Sequence, residues 1–116
     1  MKMLAAVVLG AVLTGCAHAP PPMYQWDNYQ KNVYTYLKHD SANPAEQLQA
    51  MTTQADLARS GNKRLPPGFH AHAAMLMMQL GQYDDAKKQL EAEKAAFPEA
   101  TPYMDFLLKQ MQGKTS

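Results

Sequence analysis

One cysteine is all that the chain contains. That excludes an internal disulfide and a cysteine-based zinc site. Net charge is almost absent: eleven Lys plus Arg against ten Asp plus Glu give a formal +1, which excludes the basic footprint of a nucleic-acid binder. There is no Gly-rich phosphate loop, nucleophile elbow or HExxH pattern, so neither an enzyme nor a cofactor is expected. Strand-like alternation is missing throughout. An apolar run from Met3 to Leu13 is eleven residues long. As a helix it covers about 17 Å of a roughly 30 Å hydrocarbon core, too little to span it. With 116 residues, 47% of them hydrophobic, the chain has material for one small packed domain and not for a multidomain enzyme.

What is present begins at the N-terminus. Lys2 precedes the apolar run, which has the length of a signal-peptide core. The run ends in Leu13-Thr14-Gly15-Cys16, which resembles the bacterial lipobox. The resemblance implies a signal peptide over residues 1–15, cleavage between Gly15 and Cys16, a lipid on the Cys16 sulfur, and an acyl group such as palmitate on the new amino group. The other reading is an ordinary signal peptide with an incidental cysteine. Several acyl chains hold a protein far more firmly than one. Loss of Lys2 with the leader leaves acidic and basic side chains equal in number, so charge alone would not hold the body to lipid. Ala17 stands where inner-membrane lipoproteins usually carry Asp. By resemblance to that sorting rule, the expected location is the outer membrane of a Gram-negative bacterium, on its periplasmic face.

Residues 16–23 contain Pro20-Pro21-Pro22. Fixed φ angles and missing N–H groups make this an extended, semi-rigid stretch, read as a tether, with a proline-rich ligand for a partner as the alternative. From Tyr24 the spacing predicts helix throughout. Trp26, Tyr29, Val33, Tyr36 and Leu37 mark one face of a first helix reaching His39, with Trp26 expected to clamp it onto the second. Asn43-Pro44-Ala45-Glu46 reads as a cap and first turn, followed by a stripe of Leu48, Met51, Ala55 and Ala58 and a stop at Gly61. A third helix is expected from Phe69 to Leu80, with Phe69, Ala73, Leu76, Met77 and Leu80 inward. A fourth runs from Tyr83 to Phe97, with Asp84–Lys88 and Lys87–Glu91 as surface pairs. Thr101-Pro102 would start a last helix that buries Tyr103, Phe106, Leu107 and Met111.

Ala74, Gly81, Tyr83, Ala86, Leu90 and Pro98 resemble the tetratricopeptide repeat, a 34-residue helix–turn–helix unit. Small residues let the two helices approach, glycine makes the turn, and tyrosine fills the space beside it. His70, Met77 and Glu93 depart from the usual pattern. The fold class expected is therefore all-α, with about five short helices in tetratricopeptide-like hairpins forming a right-handed stack over residues 24–112. An unrelated antiparallel bundle is the alternative.

The mature chain also resembles a family of short, uncharacterised bacterial lipoproteins. The resemblance rests on Tyr24-Gln25-Trp26-Asp27-Asn28-Tyr29, where Asp27 replaces a family glycine, on Pro66-Pro67-Gly68, and on Glu93 to Glu99. It implies a helical-repeat lipoprotein, often encoded beside a secretion-type lipoprotein related to the curli assembly factor, and it supplies no catalytic activity.

His70 and His72 are two apart on a helix and cannot share a metal without a third element. Glu91 and Glu93 read as a solvated face. The better functional candidate is a surface. In tetratricopeptide repeats the first helix lines a groove, which here implies Ala71, Met75, Met78 and Gln79 as partner-binding residues. Met75 and Met78 read equally as adaptable groove thioethers or as core filler, and Met77 as core. The expected function is a membrane-anchored, non-enzymatic, protein-binding accessory or scaffold of an envelope assembly or secretion system. Its partner would be another envelope protein, such as a curli-assembly-related secretion lipoprotein. No nucleic acid, metal or small-molecule substrate is expected. The alternative is an outer-membrane lipoprotein that regulates a peptidoglycan synthase.

Overall fold

The computed structural model describes residue 20, residues 22–38 and residues 43–115. Gly15, Cys16 and the leader of residues 1–15, with most of the tether, lie outside the described residues, as does His39. Five α-helices follow one another: α1 (Tyr29–Leu37), α2 (Pro44–Ser60), α3 (Phe69–Gln79), α4 (Tyr83–Ala96) and α5 (Thr101–Thr115), the last entered through a 3-10 turn at Pro98–Ala100. Among the described residues there is no named strand; the one extended pairing is a parallel bridge between Tyr24 and Arg64.

The start of α2 follows its sequence signal. Asn43 Oδ1 accepts from the Ala45 amide at 3.0 Å, and Pro44 takes the first helical position, where a missing N–H costs nothing. Gly81, at φ +75, makes the turn between α3 and α4, a backbone state that a Cβ would oppose.

Helices α3 and α4 run antiparallel. Gly68, before α3, reaches Glu93 near the end of α4, and His70 reaches Gln89. Ala74 and Ala86 are fully buried in one core with Leu90, Met104, Leu108 and Met111, which joins α3, α4 and α5. A second core sets Met51 of α2 against Phe69, Ala73 and Leu76 of α3, with Tyr29 and Tyr36 of α1 packed on it. Helix α3 is thus apolar on two sides because it is the shared wall of both cores.

Several expectations need correction. Residues 24–28 are not helical. The carbonyls of Gln25 and Trp26 are taken by the buried Gln54 amide at 2.6 and 3.1 Å, and the Gln25 amide donates to Arg64 O at 2.8 Å. Asp27 sits at φ +38, outside the helical region. Trp26 is 38% exposed and not in the core, and it meets α2 through its carbonyl; Leu37 also faces outward. In α5, Met111 is buried as expected, but Tyr103 and Phe106 are 58% and 54% exposed, and Met104 and Leu108 are buried in their place. On a helix Tyr103 lies about 100° behind Met104 and Phe106 about 200° ahead of it, so one face admits only one of the two sets. Leu80, at the end of α3, is also partly exposed. Finally, Lys88 pairs with Asp85 at 3.0 Å, and Lys94 with Glu91 at 3.4 Å and Asp105 at 2.6 Å, so the fourth helix uses two i,i+3 pairs and a tie to α5.

Candidate functional site

The four residues expected to line a groove divide. Met75, Met78 and Gln79 come together with Tyr36 of α1 and Tyr83 of α4 around an open cleft of about 320 Å³. Met75 is 37% exposed. Gln79 Nε2 donates to Tyr36 Oη at 3.3 Å across the cleft, tying α1 to the end of α3. Ala71 is not in this lining; it packs against the core of α3, α4 and α5, as do Met77 and the inner part of Met78. The two tyrosines are additions. Tyr36 was expected on an inward stripe, and Tyr83 as filler beside the Gly81 turn. Their shared position follows from α1 lying along α3, which spacing within either helix does not encode.

A second cluster lies at the other end of α3. Tyr24 packs on Phe97 at 6.2 Å, and the Arg64 guanidinium covers both rings at 5.8 and 5.6 Å. Its Nη2 donates to Ala96 O at 3.3 Å. Tyr29 stands beside Trp26 and Phe69, with ring centroids 6.2 and 5.9 Å away, and its hydroxyl donates to Pro67 O at 3.4 Å. Glu93, expected on a solvated face, is 2% exposed. Its Oε1 accepts from the Gly68 amide at 2.7 Å, and its Oε2 is buried without a hydrogen-bond partner. Of the two, only Glu91 keeps the solvated face, exposed and paired with Lys94. The carboxylate two residues on rotates inward, because the first turn of α3 offers it an amide that the helix itself leaves unpaired. Burial, then the nearby Glu93 charge, raises the Tyr29 pKa above its ordinary value of 10.0.

All three sequence stretches that carry the family resemblance meet here. The sequence profile of a domain of unknown function, DUF4810, matches residues 23–107. The chain belongs to that family. No curated protein and no solved structure matches it. The DUF4810 match begins at Met23, where the chain enters the Tyr24–Arg64 pairing, and ends within α5. It therefore spans both the cluster and the cleft. Position 27, where the resemblance implies a glycine, holds φ +38, a conformation in which glycine would carry no Cβ penalty.

The two central histidines of the DUF4810 domain go separate ways, as their spacing requires. His70 Nδ1 meets Gln89 Oε1 at 2.8 Å. His72 is buried edge-on against Tyr36 at 5.0 Å and Tyr29 at 6.4 Å. Burial lowers its pKa from 6.5. No group of three or more His, Cys, Asp or Glu with metal-holding geometry occurs among the described residues.

Proposed function

We propose that this DUF4810 protein is a lipid-anchored, tetratricopeptide-like adaptor of the bacterial outer membrane that holds an apolar segment of another envelope protein, with no chemistry of its own. The observation that carries the reading is the cleft of Tyr36, Met75, Met78, Gln79 and Tyr83. Exposed thioethers beside two tyrosines give an adaptable apolar surface with polar tips to fix a bound segment. The hairpin of α3 and α4 supports the repeat assignment, with Ala74 and Ala86 fully buried between the helices and Gly81 turning at positive φ. The anchor rests on Leu13-Thr14-Gly15-Cys16. The proline tether before Tyr24 spans about 22 Å at 3.1 Å per residue, which keeps the domain close to the lipid and favours a membrane-proximal partner, such as a secretion-type lipoprotein.

The test exchanges Met75 and Met78 for Gln in the full chain. The fold should persist, since Met75→Gln at an exposed site costs about 0.5 kcal/mol and Met78→Gln, which also touches the core, about 1–3 kcal/mol, while in-cell cross-linking to the envelope partner of the wild type is lost. Retained cross-linking with an intact fold would refute the cleft as the binding surface.

A further inference from the structure

A larger cleft lies on the opposite side of α3, between it and α2. It encloses about 520 Å³, within the range of small-ligand sites. Its floor is apolar: Met51, Ala58, Phe69 and Ala73 are buried beneath it, and Leu48 and Met77 close one end. The other end is basic, formed by Arg59, Lys63 and Arg64, with Asp56 as the one acidic side chain of the lining, paired to Arg59 at 3.4 Å. From Leu48 to Arg59 the α2 wall is about 16 Å long at 1.5 Å per residue. The cleft is therefore a linear slot, greasy at one end and cationic at the other.

We infer that this slot binds a single-chain anionic amphipath, of which a medium-length fatty acid is the simplest case, with its carboxylate at Arg59 and Lys63, the Arg64 charge behind them staying on Tyr24, Phe97 and Ala96 O, and its hydrocarbon chain along Met51, Ala55 and Ala73 toward Leu48. Two features favour a hydrocarbon over a peptide. A peptide must satisfy an amide donor and acceptor at each residue, and two of the polar side chains along the walls already have partners. Thr52 Oγ1 donates to Leu48 O at 3.0 Å, and His70 Nδ1 is held by Gln89 Oε1. A methylene chain asks for no partner, and it gains free energy in proportion to the apolar area it covers. The charged lining, three cations against one anion, favours an anionic head over a neutral or cationic one. The slot lies away from the cleft of Met75 and Met78, so this inference stands or falls independently of the adaptor reading.

The test uses the full chain with a photoreactive diazirine dodecanoate. Diazirine dodecanol and a diazirine-bearing leucine-rich tetrapeptide with a free carboxylate are run in parallel. The acid is expected to label peptides from α2 and α3, and unlabelled dodecanoate should compete. The alcohol should label them roughly fivefold less, or weaker still. Lys63→Glu with Arg59→Glu should lower acid labelling by a similar factor, and Ala55→Phe, which fills the slot, should abolish it. If Ala55→Phe unfolds the chain, the two surface charge reversals carry the test. Equal labelling by acid and alcohol, labelling confined to other segments, preferential labelling by the tetrapeptide, or indifference to the charge reversals would each overturn the inference.

Discussion

Gly68→Ala tests how the N-terminal segment is locked to the helices. Gly68 holds φ +85, and forcing an L-residue into that region costs about 1–2 kcal/mol. A Cβ there would also stand 2.8 Å from Tyr29 Oη. The tyrosine has little room to retreat, with Trp26 on one side and Phe69 on the other, so overpacking adds about 1–3 kcal/mol. In a domain of this size each kcal/mol moves Tm by about 4–8 °C. Tyr29→Phe removes the obstructing oxygen and forfeits only its long, 3.4 Å bond to Pro67 O, about 0.5–1 kcal/mol. In the Tyr29→Phe background Gly68→Ala should therefore cost only its backbone share. Urea denaturation of the four proteins, followed by circular dichroism, gives the coupling energy, expected at about 1–3 kcal/mol. Strict additivity would mean that Tyr29 does not press on Gly68, and the lock as described would be wrong.

Three further outcomes follow from the same contacts. His72 is buried and its pKa is lowered, so between that value and 6.5 the unfolded chain binds more protons than the folded one, and stability falls with acidification. Tm should drop between about pH 7.5 and about pH 5.5, and His72→Leu should flatten that part of the profile; an unchanged slope would remove His72 as the cause. Ala86→Leu places three extra carbons where Ala74 is fully buried, and should cost about 1–3 kcal/mol; an unaltered melt would mean that α3 and α4 do not meet there. Asp27→Gly relieves φ +38 at the loss of the exposed Gln25–Asp27 bond, so stability should rise by up to about 1 kcal/mol; a clear loss would show that the side chain outweighs the strain.

Helix positions were legible wherever a local signal was strong. Asn43-Pro44 fixed the start of α2, and Gly81 fixed the α3–α4 turn. Legibility failed where a distant group decided the outcome. Periodicity extended α1 back to Tyr24, because nothing near Tyr24 announces that Gln54, twenty-nine residues beyond Gln25, takes its carbonyl. Size suggested that Tyr103 and Phe106 turn inward, yet the rotation of α5 goes with Met104, Leu108 and Met111, and the two aromatics stack on each other outside at 6.4 Å. Glu93 looked like its neighbour Glu91 until α3 supplied the Gly68 amide. At the cleft, Met75, Met78 and Gln79 follow from the α3 face alone, whereas Tyr36 and Tyr83 require knowing which helices border it.

The same contacts bear on where a partner would be held. Tyr24, Tyr29, Pro67, Gly68, Glu93 and Phe97, drawn from the three stretches that carry the family resemblance, spend their polar groups and ring faces on one another. Glu93 answers the Gly68 amide, Tyr29 reaches Pro67 O, and Arg64 lies over Tyr24 and Phe97. A partner binding there would have to replace contacts already made, the half-buried Gly68–Glu93 bond among them, at the cost of orphaning polar groups. At the Met75–Met78 cleft it would displace water from thioethers and tyrosine edges, with one surface hydrogen bond, Gln79 to Tyr36, at stake. Recognition is therefore easier at the cleft. The motif residues act instead as the clamp that fixes the Tyr24–Trp26 segment against the helical body.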